Sequence, residues 1–246
     1  MLANPENRPH ADGFIELAWT TAGLPVAVTL IRTVQDFAAD GIGRYGERHK
    51  PALGWLERLA GDERRSAAEL MTLADAMPLE TVALRELAAL VTQAAGERLP
   101  DDLNAAPERA RLANNAAVRL GALGQREAAL AAAQQAVDLR RTLAAARPEA
   151  FTPDLARSLN NLANRLSDLG QREAALATAQ EAVALLAPFF LRLPAAYAQW
   201  MAICLRGLLK RLEACGQQPN LAELLPILAT FQKLQSPPTD DPGAPS

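Results

Sequence analysis

A 46-residue repeat organises the second half of this 246-residue chain. The segment Leu123–Ala131 recurs unchanged at Leu169–Ala177, and residues 110–151 are identical to residues 156–197 at 23 of 42 positions. A third, eroded copy keeps the register in two series of residues spaced by 46: Leu120, Leu166 and Leu212, and Gly124, Gly170 and Gly216. Repeats of this length fold by stacking, because one unit alone cannot bury its apolar face.

Each copy predicts a pair of helices. The chain is 50% apolar but only 4% aromatic, and the abundance of alanine and leucine favours helix over sheet. In the first copy we expect one helix from Pro107 to Leu123 and a second from Gln125 to about Ala146. Gly124 between them suits a helix C-cap. The short connection predicts that the two helices pack antiparallel.

The second copy predicts the same arrangement. Thr152, Pro153 and Asp154 are typical of a helix start, because threonine can N-cap, proline suits the first helical position and aspartate favours the positive end of the helix dipole. We expect this helix to end at Leu169 and its partner helix to run from Gln171 to about Phe190. The next helix is expected to start at Pro194.

The chain divides into three predicted regions. Residues 1–63 are expected to be helical and to cap the array, or to be the remnant of another domain. Residues 236–246 are rich in proline and aspartate, which predicts a flexible tail. The array at 64–235 contains a degenerate copy at 64–97 (helices Ser66–Met77 and Leu79–Ala95), clear copies at 107–147 and 153–190, and an eroded capping copy at 195–235.

The second copy resembles a known family. Residues 160–170 read Asn-Asn-Leu-Ala-Asn-Arg-Leu-Ser-Asp-Leu-Gly, and Arg-Glu-Ala-Ala-Leu and Ala-Val-Ala-Leu follow at 172–176 and 182–185. These segments resemble the tetratricopeptide repeat, in the long-period, kinesin-light-chain-like variant of bacterial proteins. The resemblance implies an all-α, right-handed superhelical solenoid of antiparallel helix pairs, here with an N-terminal helical cap. It also implies that the concave face, lined by the first helix of each pair, binds peptides or proteins.

Polar residues form a stripe along the first helix of each copy, at the spacing that places them on one helix face. Asparagine can donate to and accept from a peptide main chain, and arginine can pair with carboxylates. By resemblance, Asn115 and Asn161 match the asparagine that holds the ligand main chain in peptide-binding repeats. The predicted ligand-binding residues are Arg111, Asn114, Asn115, Arg157, Asn160, Asn161, Asn164, Arg206 and Lys210.

An alternative role for these side chains is to bond to the neighbouring repeat and fix its stacking angle. The sequence leaves both roles open for the asparagine and arginine stripe. Arg119 and Arg165 lie one position off the stripe, which favours the packing role for these two residues.

No motif in the sequence predicts an enzyme, a cofactor or a metal site. Residues 41–46 match the dinucleotide-binding pattern G-x-G-x-x-G, but a helix-like stretch precedes them and no β-α-β alternation accompanies them. Cys204 and Cys215 are expected to be buried free thiols, and neither His10 nor His49 has a partner at catalytic spacing. We find no apolar run of about 18 residues, so we expect no membrane segment and a cytoplasmic protein.

The charge distribution indicates the chemistry of a partner. Residues 1–104 carry a net charge of −6, whereas residues 105–235 carry +5. The array is therefore expected to bind an acidic or extended peptide or protein segment. Three alternatives stay open: a regulatory arm for a bacterial signalling or defence NTPase or protease system, by resemblance; nucleic-acid binding, against which the acidic first half counts; and self-masking of the groove by the tail or the N-terminal helices.

Overall fold

The computed structural model describes residues 24–29, 31–32, 54, 57–58, 60–79 and 84–235, and none of these residues lies in a β-strand. The predicted all-α fold class is confirmed. The glycine motif at 41–46, both histidines and the tail at 236–246 lie outside the described residues. The helices with defined bounds are α1 (Ala67–Asp75), α2 (Arg85–Glu97), α3 (Ala106–Ala122), α4 (Arg126–Ala146), α5 (Pro148–Asp168), α6 (Arg172–Arg192), α7 (Pro194–Ala214) and α8 (Leu221–Gln235).

The chain forms two compact units, Met1–Leu139 and Arg140–Ser246. In the first unit, α1 packs against α2 and α2 against α3, and Leu120 of α3 shares a buried cluster with Ala129 of α4. Ala27 and Ile31 from the N-terminal region are buried in the same core as Leu70 of α1. In the second unit, α5 packs against α6 and α6 against α7, with α8 beside α7. The helices thus pack sequentially as adjacent pairs.

The same glycine turn separates the two helices of all three copies. The turn glycines have left-handed backbone conformations, with φ of +76° at Gly124, +73° at Gly170 and +65° at Gly216. The next residue then donates its backbone N–H to a leucine carbonyl of the preceding helix. The N–O distances are 3.0 Å from Gln125 to Leu120, 3.0 Å from Gln171 to Leu166 and 2.9 Å from Gln217 to Leu212. This geometry satisfies helix-end carbonyls, which is why glycine recurs there.

Two predicted helix starts are wrong. Helix α5 begins at Pro148 rather than near Thr152, and Pro153 lies inside it. Pro153 forgoes one helical hydrogen bond because it lacks an N–H. Two contacts involve residues at the added turn: Arg192 donates to the Glu149 carboxylate at 2.5 Å, and the Arg147 guanidinium lies 4.9 Å from the Phe151 ring centroid.

The other wrong start belongs to α2. It was expected at Leu79, but Leu79 lies in a turn after Pro78, and the helix begins at Arg85. The predicted helix ends are nearer to the structure: α3 ends at Ala122, one residue before the expected Leu123, and α4 ends at Ala146 as expected.

Helix α6 satisfies the length and composition of a membrane-spanning helix, and it is the one such helix among the described residues. Ala and Leu dominate this helix, and the one charged residue between Glu173 and Arg192 is Glu181, which interrupts the apolar run, so the expectation of no membrane segment stays a prediction. Core helices of soluble proteins pass the same test. Leu176, Val183 and Leu186 of α6 are buried in a cluster with residues of α5 and α7.

A buried arginine joins α3 to the preceding helix pair. Arg119 is 3% exposed, and its Nη1 donates to the Ala88 carbonyl and the Thr92 hydroxyl, both at 2.7 Å. Its Nη2 donates to the carbonyls of Ala74 at 3.0 Å and Met77 at 2.7 Å. Burial lowers the pKa of Arg119 to about 10, so the guanidinium stays charged at neutral pH. This is the packing role that the sequence favours for Arg119.

We expect Arg119→Met to lower the free energy of unfolding by about 3 kcal/mol, because the change leaves buried carbonyl groups without donors. Arg126→Met is the matched control, since Arg126 is exposed at the start of α4, and its effect should stay within about 0.5 kcal/mol. Urea unfolding followed by circular dichroism measures both values. Equal stabilities for the two variants would contradict the packing role of Arg119.

Candidate functional site

A groove of about 470 Å³ lies between α5 and α7 in the second unit. Four of the nine predicted ligand-binding residues line it: Asn160 and Asn164 from α5, and Arg206 and Lys210 from α7. We call it the α5–α7 groove. It forms between the first helices of two consecutive copies, which is the location that the polar stripe predicts for a peptide.

The α5–α7 groove carries an excess of positive charge. Its lining includes five cations, Arg165, Arg172, Arg206, Lys210 and Arg211, but only one carboxylate, Asp168. That carboxylate is already paired, since Arg165 Nη1 lies 3.2 Å from its Oδ2. The three exposed cations make no ion pair with any residue that the structure describes: Arg172, Arg206 and Lys210. The groove therefore offers free positive charge to a ligand.

Arg211 forms a fixed part of the groove wall. It is 6% exposed and donates to the Gly207 carbonyl at 2.7 Å, the Ser167 hydroxyl at 3.2 Å and Asn164 Oδ1 at 2.7 Å. Burial lowers the pKa of this guanidinium. Arg211 occupies the same repeat position as Arg119, 92 residues earlier in the chain. Both arginines join a first helix to the copy that precedes it.

Gly207 allows α7 to approach α5. A Cβ atom at this position would lie 2.9 Å from Arg211 Nη1 and 3.1 Å from Asn160 Oδ1. Neither side chain can move away easily, because Arg211 is held by three hydrogen bonds and Asn160 is 7% exposed. Copies one and two have asparagine at this position, so the glycine is specific to the third copy.

Asn164 faces both the protein and the groove. The side-chain oxygen of Asn164 accepts a hydrogen bond from Arg211. The amide nitrogen, Nδ2, is therefore the donor available to a ligand. Asn160 lies one helical turn earlier and is more deeply buried. The bond to Arg211 gives Asn164 a packing role between α5 and α7, and the binding role of both asparagines stays a prediction.

The remaining predicted residues do not line this groove. Arg111 is paired with two carboxylates, Asp75 and Glu108, both at 2.7 Å. Partial burial lowers its pKa, but hydrogen bonds to these carboxylates outweigh burial and raise the pKa above its usual value. The guanidinium of Arg157 lies 4.2 Å from the Trp200 ring centroid. The other three predicted asparagines, Asn114, Asn115 and Asn161, are half-buried.

Sequence reasoning missed Arg172 and Gly207 as groove residues. Arg172 is the first residue of α6, so it enters the groove from a helix that carries no polar stripe. The recurrence of Arg126 at Arg172 showed that this position is repeated, but not which surface it faces. The signal for Gly207 was its replacement of the asparagine found in the two earlier copies.

A second groove, of about 530 Å³, lies in the first unit between α2, α3 and α4. Small residues such as Ala113, Ala116 and Ala131 line it, and it contains none of the predicted ligand-binding residues. Its arginine, Arg109, is paired with Asp101. This groove lacks the excess of positive charge found in the α5–α7 groove, so it serves as a comparison for charge-dependent binding.

The remaining candidate chemistry is sparse. Cys204 is 1% exposed, and burial raises the pKa of its thiol to about 11, so the reactive thiolate is scarce at neutral pH. Within the described residues, no three His, Cys, Asp or Glu side chains cluster as a metal site would require.

The comparison with protein families finds one match. A tetratricopeptide-repeat family model matches residues 155–186. Residues 155–186 form a tetratricopeptide repeat of the kinesin-light-chain type. The match covers most of α5 and the larger part of α6, and it includes Asn160, Asn164 and Arg172 of the α5–α7 groove.

The tetratricopeptide repeat implies a protein-interaction module in general, with protein partners, and the repeat is usually non-catalytic. No catalytic family is detected. No curated protein matches the sequence.

We expect Gly207→Ala to destabilise the protein by about 1 kcal/mol, because the crowding of Arg211 and Asn160 outweighs the helix propensity of alanine. The matched control is Gly96→Ala in α2, where a Cβ would lie 3.8 Å from Leu112 Cβ, an ordinary contact. This control should gain about 0.5 kcal/mol. Thermal and urea unfolding measure both changes. Stabilisation by both substitutions would contradict the close approach of α7 to α5.

Proposed function

We propose that this protein is an interaction module that binds an acidic, extended peptide segment in the α5–α7 groove. The observation that carries the proposal is the set of three exposed cations, Arg172, Arg206 and Lys210, around a groove whose single carboxylate is paired with Arg165. Uncompensated charge in a concave site attracts ligands of the opposite sign and increases their rate of association.

The groove supports a peptide better than a nucleic acid. The residues that line it, all within the described part of the chain, include no aromatic side chain. Single-stranded nucleic acids bind through base stacking on aromatic rings together with a basic surface. A peptide needs only charge partners and main-chain hydrogen bonds, which Arg206, Lys210 and Asn164 provide.

The binding should be weak and sensitive to salt. Ion pairs between exposed groups contribute about 0.2–1 kcal/mol each, and salt screens them. Three such pairs supply at most about 3 kcal/mol, whereas a Kd of about 1 μM needs about 8 kcal/mol, so we expect an affinity weaker than micromolar for a short acidic peptide, which decreases further as the ionic strength rises.

We expect Arg206→Glu/Lys210→Glu to weaken acidic-peptide binding at least about tenfold, because two attractive charges become repulsive. The probe is a fluorescein-labelled pool of decapeptides with Asp or Glu at half of their positions, and fluorescence anisotropy measures the affinity. A pool with Asn and Gln at the same positions gives the charge-independent background.

The matched control is Arg126→Glu/Lys233→Glu, which changes the net charge equally at two exposed positions outside the groove. This control should lose less than about twofold, since neither position lines the groove. Equal losses in the two double variants would assign the effect to net charge and contradict the proposed site.

A further inference from the structure

The two walls of the α5–α7 groove present polar groups at the same interval. Arg206 and Lys210 are four residues apart on α7, and Asn160 and Asn164 are four residues apart on α5. An α-helix rises about 1.5 Å per residue, so each pair spans about 6 Å along its helix. Both cations are exposed and make no ion pair with a residue that the structure describes.

An extended peptide repeats at nearly the same interval. Alternate side chains of a β-strand point to the same side and are about 6.6–6.8 Å apart. Two acidic side chains separated by one residue can therefore contact Arg206 and Lys210 at the same time. Adjacent acidic residues cannot do so in an extended chain, because they point to opposite sides.

We infer that the groove recognises an acid–any residue–acid sequence in extended conformation, an inference that rests on the proposed function. The two carboxylates pair with Arg206 and Lys210 on α7, and a main-chain carbonyl of the peptide accepts from the Asn164 side-chain amide on α5. The residue between the two acids points away from α7 and is free to vary.

The asparagine wall favours an extended ligand over a helical one. A helical ligand with acids four residues apart would also span about 6 Å. However, the main-chain groups within a helix are already bonded to each other, so they offer no partner to Asn164. In an extended segment these groups are free. The helical ligand is therefore an outcome that the experiment has to distinguish.

The test uses four labelled heptapeptides of Ser and Gly that carry a net side-chain charge of about −2. Three have two Glu residues: separated by one residue, adjacent, or four positions apart. The fourth carries one phosphoserine. A peptide with Gln in place of Glu gives the uncharged background, and fluorescence anisotropy against the full chain measures each affinity. We expect the peptide with alternate acids to bind about three- to fivefold more tightly than the other charged peptides, because one additional exposed ion pair contributes up to about 1 kcal/mol.

Lys210→Gln removes one of the two contacts and should reduce this preference to below about twofold, while residual binding above the background remains. Lys233→Gln, an exposed substitution on α8, should keep the full preference. Circular dichroism confirms that both variants fold.

The outcomes separate this inference from the proposed function. Equal binding of the charged peptides, all above the background, would overturn the spacing rule but leave the acidic-peptide site. Tightest binding of the phosphoserine peptide, or of the peptide with acids four positions apart, would also overturn it. Binding of no charged peptide above the background would overturn both.

Discussion

Buried arginines at one repeat position hold neighbouring helix pairs together. Removing a guanidinium from water costs several kcal/mol, and hydrogen bonds to acceptors within the protein offset that cost. Arg119 has four such hydrogen bonds and Arg211 has three. The acceptors lie mostly on the preceding copy, so each arginine is satisfied only when its neighbour is in place. The need of each buried guanidinium for hydrogen-bond acceptors thereby constrains how the repeats stack.

The groove is a consequence of this stacking. Arg211 places α7 against α5, and Gly207 removes the side chain that would otherwise separate the two helices. Once the helices are fixed, exposed positions one turn apart on α7 line one wall, and Asn160 and Asn164 line the other. Arg211, which builds the wall, is buried and makes three hydrogen bonds, whereas the cations available to a ligand are exposed. The packing role and the ligand-binding role thus fall to different positions of the repeat.

The sequence predicted the parts of this structure that depend on local chemistry. The turn glycines are needed wherever the chain adopts positive φ, so their spacing located the helix pairs. Residues that depend on distant partners were not predictable. Arg111 pairs with Asp75, 36 residues away on another helix, and Glu149 in the first turn of α5 pairs with Arg192, 43 residues away on α6. Arg172 enters the groove from a third helix, where no periodic pattern identifies it.

Hydrogen–deuterium exchange tests the central claim most directly. Amide exchange in the full chain is compared with and without a saturating acidic peptide. Our account predicts slower exchange in the second half of α5, at the start of α6 and in the second half of α7, with no change in α2 and α3 around the first-unit groove. Slower exchange in α2 and α3, or no change anywhere despite measured binding, would contradict the assignment of the binding site to the α5–α7 groove.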